Sequence, residues 1–484
     1  MHDDLNTMDA VAIAERIRDG ALSAEEATRA AIARIEQLDP EIGAIAHRDF
    51  ERALERARGR LTGPLAGVPF LLKDLLPYPG QPCAMGSRLF AAHAPEVAPP
   101  LAQAYDAAGL VTLGRTTSSE LGLLGSTESL LNGRTHNPWD LQRSATGSSG
   151  GAAAAVASGM VPLAHASDGG GSIRIPAAMC GLFGFKPSRG RMRANGQEDP
   201  IGLVAEHCVS VSVRDSATLL SVSEVLEHPD GPVGLVTGPN PRRLRIGVYA
   251  RTLMGEAPDD EVAVALAEAV ALCEALGHRV EPCDGPTLVS GAAVSSAFFT
   301  LAGAGIAQIA AAVKPVLGRE PGPDELEPFT LALLARFRAA PEGAMERALS
   351  AIAENGAAMR GFLERYDVVL CPTTPLTAPP LGFLDPRLPA DTLLARTERL
   401  AGYTAIHNMA GVPAMSVPLG QTPAGLPIGI QFAAPAGADA LLLALAFELE
   451  EAAPWAHRRA PHAWRAAADA ETHAPVVGPS AATR

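Results

Sequence analysis

Two clusters of glycine and serine, Gly147-Ser148-Ser149-Gly150-Gly151 and Gly169-Gly170-Gly171-Ser172, fall within the stretch from Thr146 to Gly181. Glycine inside a regular helix or strand costs about 0.5–1 kcal/mol relative to alanine, so neither cluster reads as the middle of an element. Each demands a tight turn or a close approach of backbone. The chain must therefore supply a rigid scaffold that holds two such turns. Between them, Ala152–Ser158 reads as a helix of small residues that can pack directly on neighbouring backbone.

Several familiar motifs fail on this stretch. No lysine follows the glycines, which excludes a Walker A loop, and no G-x-G-x-x-G follows a strand. Gly147 to Gly151 formally satisfies G-x-S-x-G, but a nucleophile elbow needs a hydrophobic strand before it. Arg143-Ser144-Ala145-Thr146 is not one. What remains is loop chemistry. The backbone N–H groups of Gly169, Gly170, Gly171 and Ser172 can surround the oxygen of an attacked carbonyl, with a helix starting near Pro176. Asp168 can anchor the loop. A serine hydroxyl is a weak nucleophile and needs a base. Taken alone, the glycines make no more than a tight turn.

The rest of the chain gives an α/β rhythm. Ser23-Ala24-Glu25-Glu26 is a capping box, and Ala27, Ala30, Ala31, Ile35 and Leu38 follow at helical spacing. A second helix runs from Phe50 to about Arg60. Leu65 to Leu72 reads as a strand or edge segment. Helix, a strand at Leu110–Leu113 and a helix near Ser118 come next. Strands are expected at 245–249, 279–281, 368–371, 413–419 and 428–433, with helices at 260–276, across most of 292–354 and at 439–452. The pattern predicts α/β architecture in a single unit: an amino-terminal helical region 1–60, a core 61–200, a further α/β region 201–458 and a flexible tail 459–484.

With 484 residues, 47% of them hydrophobic, such a unit can bury a large core. A formal charge of −14 and only 4% aromatic residues argue against a nucleic-acid partner. Six scattered cysteines show no metal-ligand spacing. The acidic start lacks a secretory h-region and no stretch of about 20 uninterrupted apolar residues occurs, so a cytoplasmic protein with no membrane partner is expected.

The stretch resembles the signature of the amidase signature family. Ser172 matches that family's nucleophile and Ser148, 24 residues earlier, its bridging serine in a cis peptide. Lys73 in Leu71-Leu72-Lys73-Asp74 matches its base. Asn137-Pro138, Arg174 and Pro176 also fit, as do Asn408-Met-Ala-Gly-Val-Pro413 and Gly425-Leu-Pro-Ile-Gly-Ile-Gln431, and the likeness runs to Ala456-His457-Arg458-Arg459. Two positions depart: Thr146 precedes Gly147, and Gly170 replaces a bulkier residue. The resemblance implies one three-layer α/β/α domain with a large, twisted, mixed central sheet. It implies amide hydrolysis through an acyl-enzyme, with Asp168 and Arg174 as structural support, no cofactor, no metal and no catalytic histidine. Lys73 must be neutral to serve as base. Burial among Leu71, Leu72 and Leu75 would depress its pKa, and Asp74 would oppose this if it faced inward.

In texture the chain is similar to bacterial 6-aminohexanoate cyclic dimer hydrolases, through Gly184-Phe-Lys-Pro187, Arg189-Gly-Arg191, Val417-Pro418 and Pro454-Trp-Ala-His-Arg-Arg459. The expected substrate is then a small or cyclic apolar amide, with Tyr78, Phe299 and Tyr403 as candidate pocket residues and a monomer or homodimer as the working form. A broad aryl-amide, ester or carbamate hydrolase, a glutamine-hydrolysing amidotransferase subunit and a noncatalytic scaffold are the alternatives.

Overall fold

The computed structural model describes residue 5 and residues 7–197, 199, 201–287 and 290–463. The tail expected from 459 onward lies mostly outside them. The capping box forms as read: Ser23 Oγ accepts from Glu26 N, and Glu26 reaches back to the Ser23 N–H, opening the helix Ala24–Ile42.

Among the described residues, eleven strands build one mixed sheet: β1 (Ile45–Arg48), β2 (Pro69–Lys73), β3 (Val111–Thr116), β8 (Leu163–Asp168), β9 (Phe183–Lys186), β10 (Ala205–Ser210), β11 (Arg245–Val248), β12 (Arg279–Pro282), β13 (Val368–Pro372), β14 (Ala414–Gln421) and β15 (Pro427–Ala433). Two small ribbons, β4–β5 (Glu128–Ser129 with Gly133–Arg134) and β6–β7 (His136–Asn137 with Asp140–Ser144), stand outside it. The spatial order is β1-β3-β2-β8-β10-β9-β14-β15-β13-β11-β12. β2 runs parallel to β3 and β8, and β11 parallel to β12 and β13, while the central pairings are antiparallel.

Alternation of side chains explains the layers. In β13, Val368 and Leu370 join a core with helices Asp260–Ala275 and Asp439–Ala452. Val369 and Cys371 turn the other way, onto helix Ala344–Leu363. Both faces of the sheet are thus covered by helices, which is why strands such as β2 and β13 read as apolar runs. Helix Gly291–Leu317 is long and apolar enough to cross a membrane by length and composition, and it packs along helices Pro328–Arg338 and Ala344–Leu363.

The helix expected near Ser118 is instead a single 3-10 turn, Glu120–Gly122. Leu121 and Gly122 both take positive φ (51° and 71°), which ends any helix there. The strands β1, β8, β9 and β10 and the helix Val213–Ser223 were not apparent in the sequence pattern.

Candidate active site

Two parallel neighbours, β2 and β8, end in Lys73 and Asp168. Parallel strands deliver their carboxyl ends to the same edge of a sheet, the usual place for a binding crevice in α/β folds. Lys73 is fully buried. Its Nζ lies 2.8 Å from Ser148 Oγ, 3.0 Å from Ser167 Oγ and 3.4 Å from the Ser167 carbonyl. Burial pulls the Lys73 pKa down to about 7, against the opposing pull of Glu206 and then Asp168. A neutral amine has two N–H donors and one lone pair. Ser167 offers two acceptors, which leaves the lone pair for the Ser148 hydroxyl proton.

Asp74 does not turn toward that amine. Its carboxylate accepts from the N–H groups of Ala84 and Gly86 at 2.9 and 3.1 Å, and burial raises its own pKa to about 6.

Ser148 is 2% exposed and follows a cis Gly147–Ser148 peptide. Thr127 Oγ1 fixes this turn by donating to the Thr146 carbonyl at 2.8 Å and accepting from Gly150 N at 3.0 Å. The glycines here serve close approach. A Cβ at Gly147 would meet the Ser126 backbone at 2.6 Å, and one at Gly151 the Thr117 backbone at 2.5 Å.

The second cluster is held by Asp168. Its carboxylate accepts from the N–H of Gly171 at 2.6 Å and of Ile173 at 3.2 Å, and from Asn408 Nδ2 at 3.0 Å. Arg174 grips it through Nε and Nη2, both at 2.9 Å. Burial works to raise the Asp168 pKa, but the Arg174 guanidinium outweighs it and holds the carboxyl well below the usual range. Arg174 continues to the Thr404 carbonyl, Gln431 Oε1 and Asn408 Oδ1. Thr404 Oγ1 donates to the Gly170 carbonyl at 2.6 Å.

This geometry corrects one expectation. The Gly171 N–H is spent on Asp168, so the donors left for a carbonyl oxygen are those of Gly169, Gly170 and Ser172. Ser172 is half-buried. The hydrogen bonds of the Lys73 side-chain amine end on Ser148 and Ser167, and among the described ones none engages the Ser172 hydroxyl.

The three aromatic residues considered for a pocket have structural contacts. The Tyr78 hydroxyl donates to Asp106 Oδ1 at 2.8 Å and its ring lies under Arg52. Tyr403 is fully buried and donates to the Ala250 carbonyl at 2.6 Å. Phe299 packs edge-on against Phe329. The surfaces facing the glycine turn are instead the neighbouring Phe298, whose ring lies 3.6 Å from a Cβ built on Gly170, and Val204, 3.5 Å from one on Gly169. Sequence reasoning also missed Ser167, Thr404 and Asn408. Asn408 lay in a segment already singled out; nothing local marks the other two.

The Amidase family profile matches residues 26–443. The chain is 34% identical to the 6-aminohexanoate-cyclic-dimer hydrolase of Pseudomonas sp. (strain NK87), across 93% of this chain and 96% of that one. A solved structure of 6-aminohexanoate cyclic dimer hydrolase complexed with substrate superposes with a TM-score of 0.88 at 32% identity, covering 95% of this chain and 99% of that one. A bacterial aryl acylamidase of the amidase signature family superposes with a TM-score of 0.83 at 26% identity, covering 93% and 97%.

Proposed function

This chain belongs to the amidase signature family of hydrolases that act on carbon–nitrogen bonds, and on that footing we propose that it cleaves small or cyclic apolar amides through an acyl-enzyme on Ser172. Lys73 takes a proton from Ser148, which takes one from Ser172 as its oxygen attacks the carbonyl carbon. The N–H groups of Gly169, Gly170 and Ser172 receive the developing oxyanion. The C–N bond breaks as the proton returns through Ser148 to the departing nitrogen. Water then attacks the ester, the acid leaves and Ser172 regains its proton.

The observation that carries this reading is the 2.8 Å contact between the buried Lys73 amine and Ser148 Oγ, with Ser167 occupying the remaining contacts of that amine. Burial supplies a reason for a neutral lysine at pH 7. The apolar side chains of Phe298 and Val204 beside the turn favour a substrate without strong charge.

The test is mass-spectrometric product analysis with the cyclic 6-aminohexanoate dimer, using S172A as the blank. Ring opening by the wild type alone supports the cyclic-amide reading. Cleavage of an aryl amide but not of the cyclic dimer moves the substrate class toward aryl acylamides, consistent with the second structural relative. Turnover of either substrate by S172A would refute the nucleophile assignment.

A further inference from the structure

Behind Lys73 lies a second polar chain that the reaction as written does not use. The Lys73 N–H donates to His165 Nδ1 at 3.3 Å. His165 Nε2 lies 2.8 Å from Glu206 Oε2. The other oxygen, Oε1, accepts from Asn195 Nδ2 at 2.6 Å. His165 is fully buried and Glu206 is 8% exposed. They sit on adjoining antiparallel strands, β8 and β10, with Glu206 level with Ser167 and His165 level with Cys208.

The chemistry of the imidazole fixes its form. A nitrogen that accepts a backbone N–H carries no proton, so Nδ1 holds a lone pair and Nε2 holds the hydrogen that Glu206 accepts. Only the neutral Nε2–H tautomer satisfies both contacts. The arrangement parallels the carboxylate–histidine pairs that orient ligands at metal sites, with a backbone amide in place of the metal. Here the oriented group is the last residue of β2. In the ladder, β2 and β8 pair at Leu71 and Ala164. Beyond that point the His165 ring takes the place of a backbone acceptor for Lys73.

We propose that His165 and Glu206 are positioning residues for Lys73: the ring fixes the backbone from which the amine projects, and the Glu206 carboxylate sets the pH at which that amine becomes free to accept a proton. This rests on the reading of Lys73 as the base. The other groups facing this region are consistent with the assignment. Asp168 is engaged by Arg174, and Asp74 turns away to the amides of Ala84 and Gly86. Arg115 of β3 donates to the Leu76 carbonyl. Tyr105, from helix Pro100–Ala107, packs against His165, and Cys208 lies on β10; burial keeps both protonated. Glu206 is therefore the foremost carboxylate acting on Lys73 against the effect of burial, ahead of Asp168.

The test is the pH dependence of inactivation by a serine-directed fluorophosphonate, which reads the base without a substrate KM. Removing a negative charge near Lys73 favours its neutral form, so E206Q should move the acid limb down by about 0.5–1 pH unit. The double variant E206Q/N195D, which returns a carboxylate to the same hydrogen bond, should restore part of that shift. H165F, which keeps bulk but removes the acceptor, should lower the inactivation rate at least tenfold. H165Q, whose side-chain oxygen can accept the Lys73 N–H, should retain more. A limb that stays within 0.2 unit in E206Q, or H165F at the wild-type rate, would overturn the proposal while leaving Lys73 as base. Undiminished inactivation of K73A would instead overturn the reading beneath it, and the proposal with it. Should E206Q not fold, the H165F and H165Q pair decides the matter alone.

Discussion

The carboxylate of Asp168 and the guanidinium of Arg174 meet through two nitrogens, each at 2.9 Å, with both side chains fully buried. One carboxylate thereby ties the loop before Ser172 to the helix after it, and through Arg174 to Thr404, Asn408 and Gln431. Removing one partner of a buried pair leaves the other uncompensated, at a cost of about 3–5 kcal/mol.

D168N should therefore lower the thermal midpoint markedly and abolish turnover. R174K should fare little better, because a lysine cannot reproduce the planar fork. The sign of the pH effect follows from the depressed Asp168 pKa. Its contribution to stability is present above the ordinary carboxylate range and is lost only as pH falls far below that range. Thermal unfolding of D168N should therefore parallel the wild type between about pH 4 and 7 and show less acid sensitivity below about pH 4. Equal midpoints for D168N and wild type at pH 7 would refute the account.

The rate has its own pH signature. With the Lys73 pKa brought down to about 7 by burial, kcat/KM should rise with pH through that value and fall about tenfold per unit below it. K73A should lose at least a thousandfold in a folded protein. S148A should lose less, since water can bridge the gap imperfectly. A flat kcat/KM between pH 5.5 and 8 for wild type would sink the neutral-lysine mechanism.

Much of this was legible before the fold was known, and the reasons are local. The capping box at Ser23, the strand at Arg245 and the helix from Asp439 each carry their own signal within a few residues. The candidate lysine and serines were marked by motif. The strands β8, β9 and β10 were not, because glycine, histidine, serine and glutamate interrupt the apolar alternation that marks a strand. Their support comes from pairing with neighbours distant in sequence. The role of Ser167 is hidden for the same reason: it faces Lys73 across 94 residues of chain. Gly171 was misread because consecutive glycines suggest free amides, and only the fold reveals that Asp168 takes one of them.

A buried pair of carboxyls, Glu120 and Glu327, predicts an opposite pH trend. Glu120 Oε2 accepts from the Glu327 N–H at 2.9 Å, and Glu327 Oε1 accepts from Leu130 N at 2.6 Å. Burial, then the Glu120 charge, raises the Glu327 pKa to about 8. A raised folded-state pKa gives stability that is complete below the ordinary glutamate value and is lost as pH climbs through about 8. E327Q keeps an acceptor for Leu130 and cannot ionise. Its midpoint should match or trail the wild type at pH 5 and exceed it at pH 9, by on the order of 2 kcal/mol in stability. Parallel stability–pH curves for the two proteins would show that Glu327 does not titrate between its folded and unfolded values.

The two central glycines of the second cluster should respond differently to the same methyl group. At Gly171 the backbone takes φ 136°, and a Cβ would lie 2.4 Å from Thr404 Oγ1 and 2.6 Å from Ile175 Cδ1. Thr404 cannot simply swing away, because its hydroxyl holds the Gly170 carbonyl. G171A must therefore distort the turn, and turnover should fall by at least a hundredfold with a lower thermal midpoint. At Gly170 the backbone is not in the left-handed region, and the nearest atom to a built Cβ is in the Phe298 ring at 3.6 Å, an ordinary contact. G170A should fold as the wild type does, with the methyl standing between the turn and Phe298. Its effect should fall on KM and substrate choice, disfavouring bulky amides, while kcat for a small amide changes by less than about threefold. Steady-state kinetics on one small and one bulky amide separate the two variants. If G170A proves as damaging as G171A, Phe298 packs too tightly against the turn to border a substrate pocket.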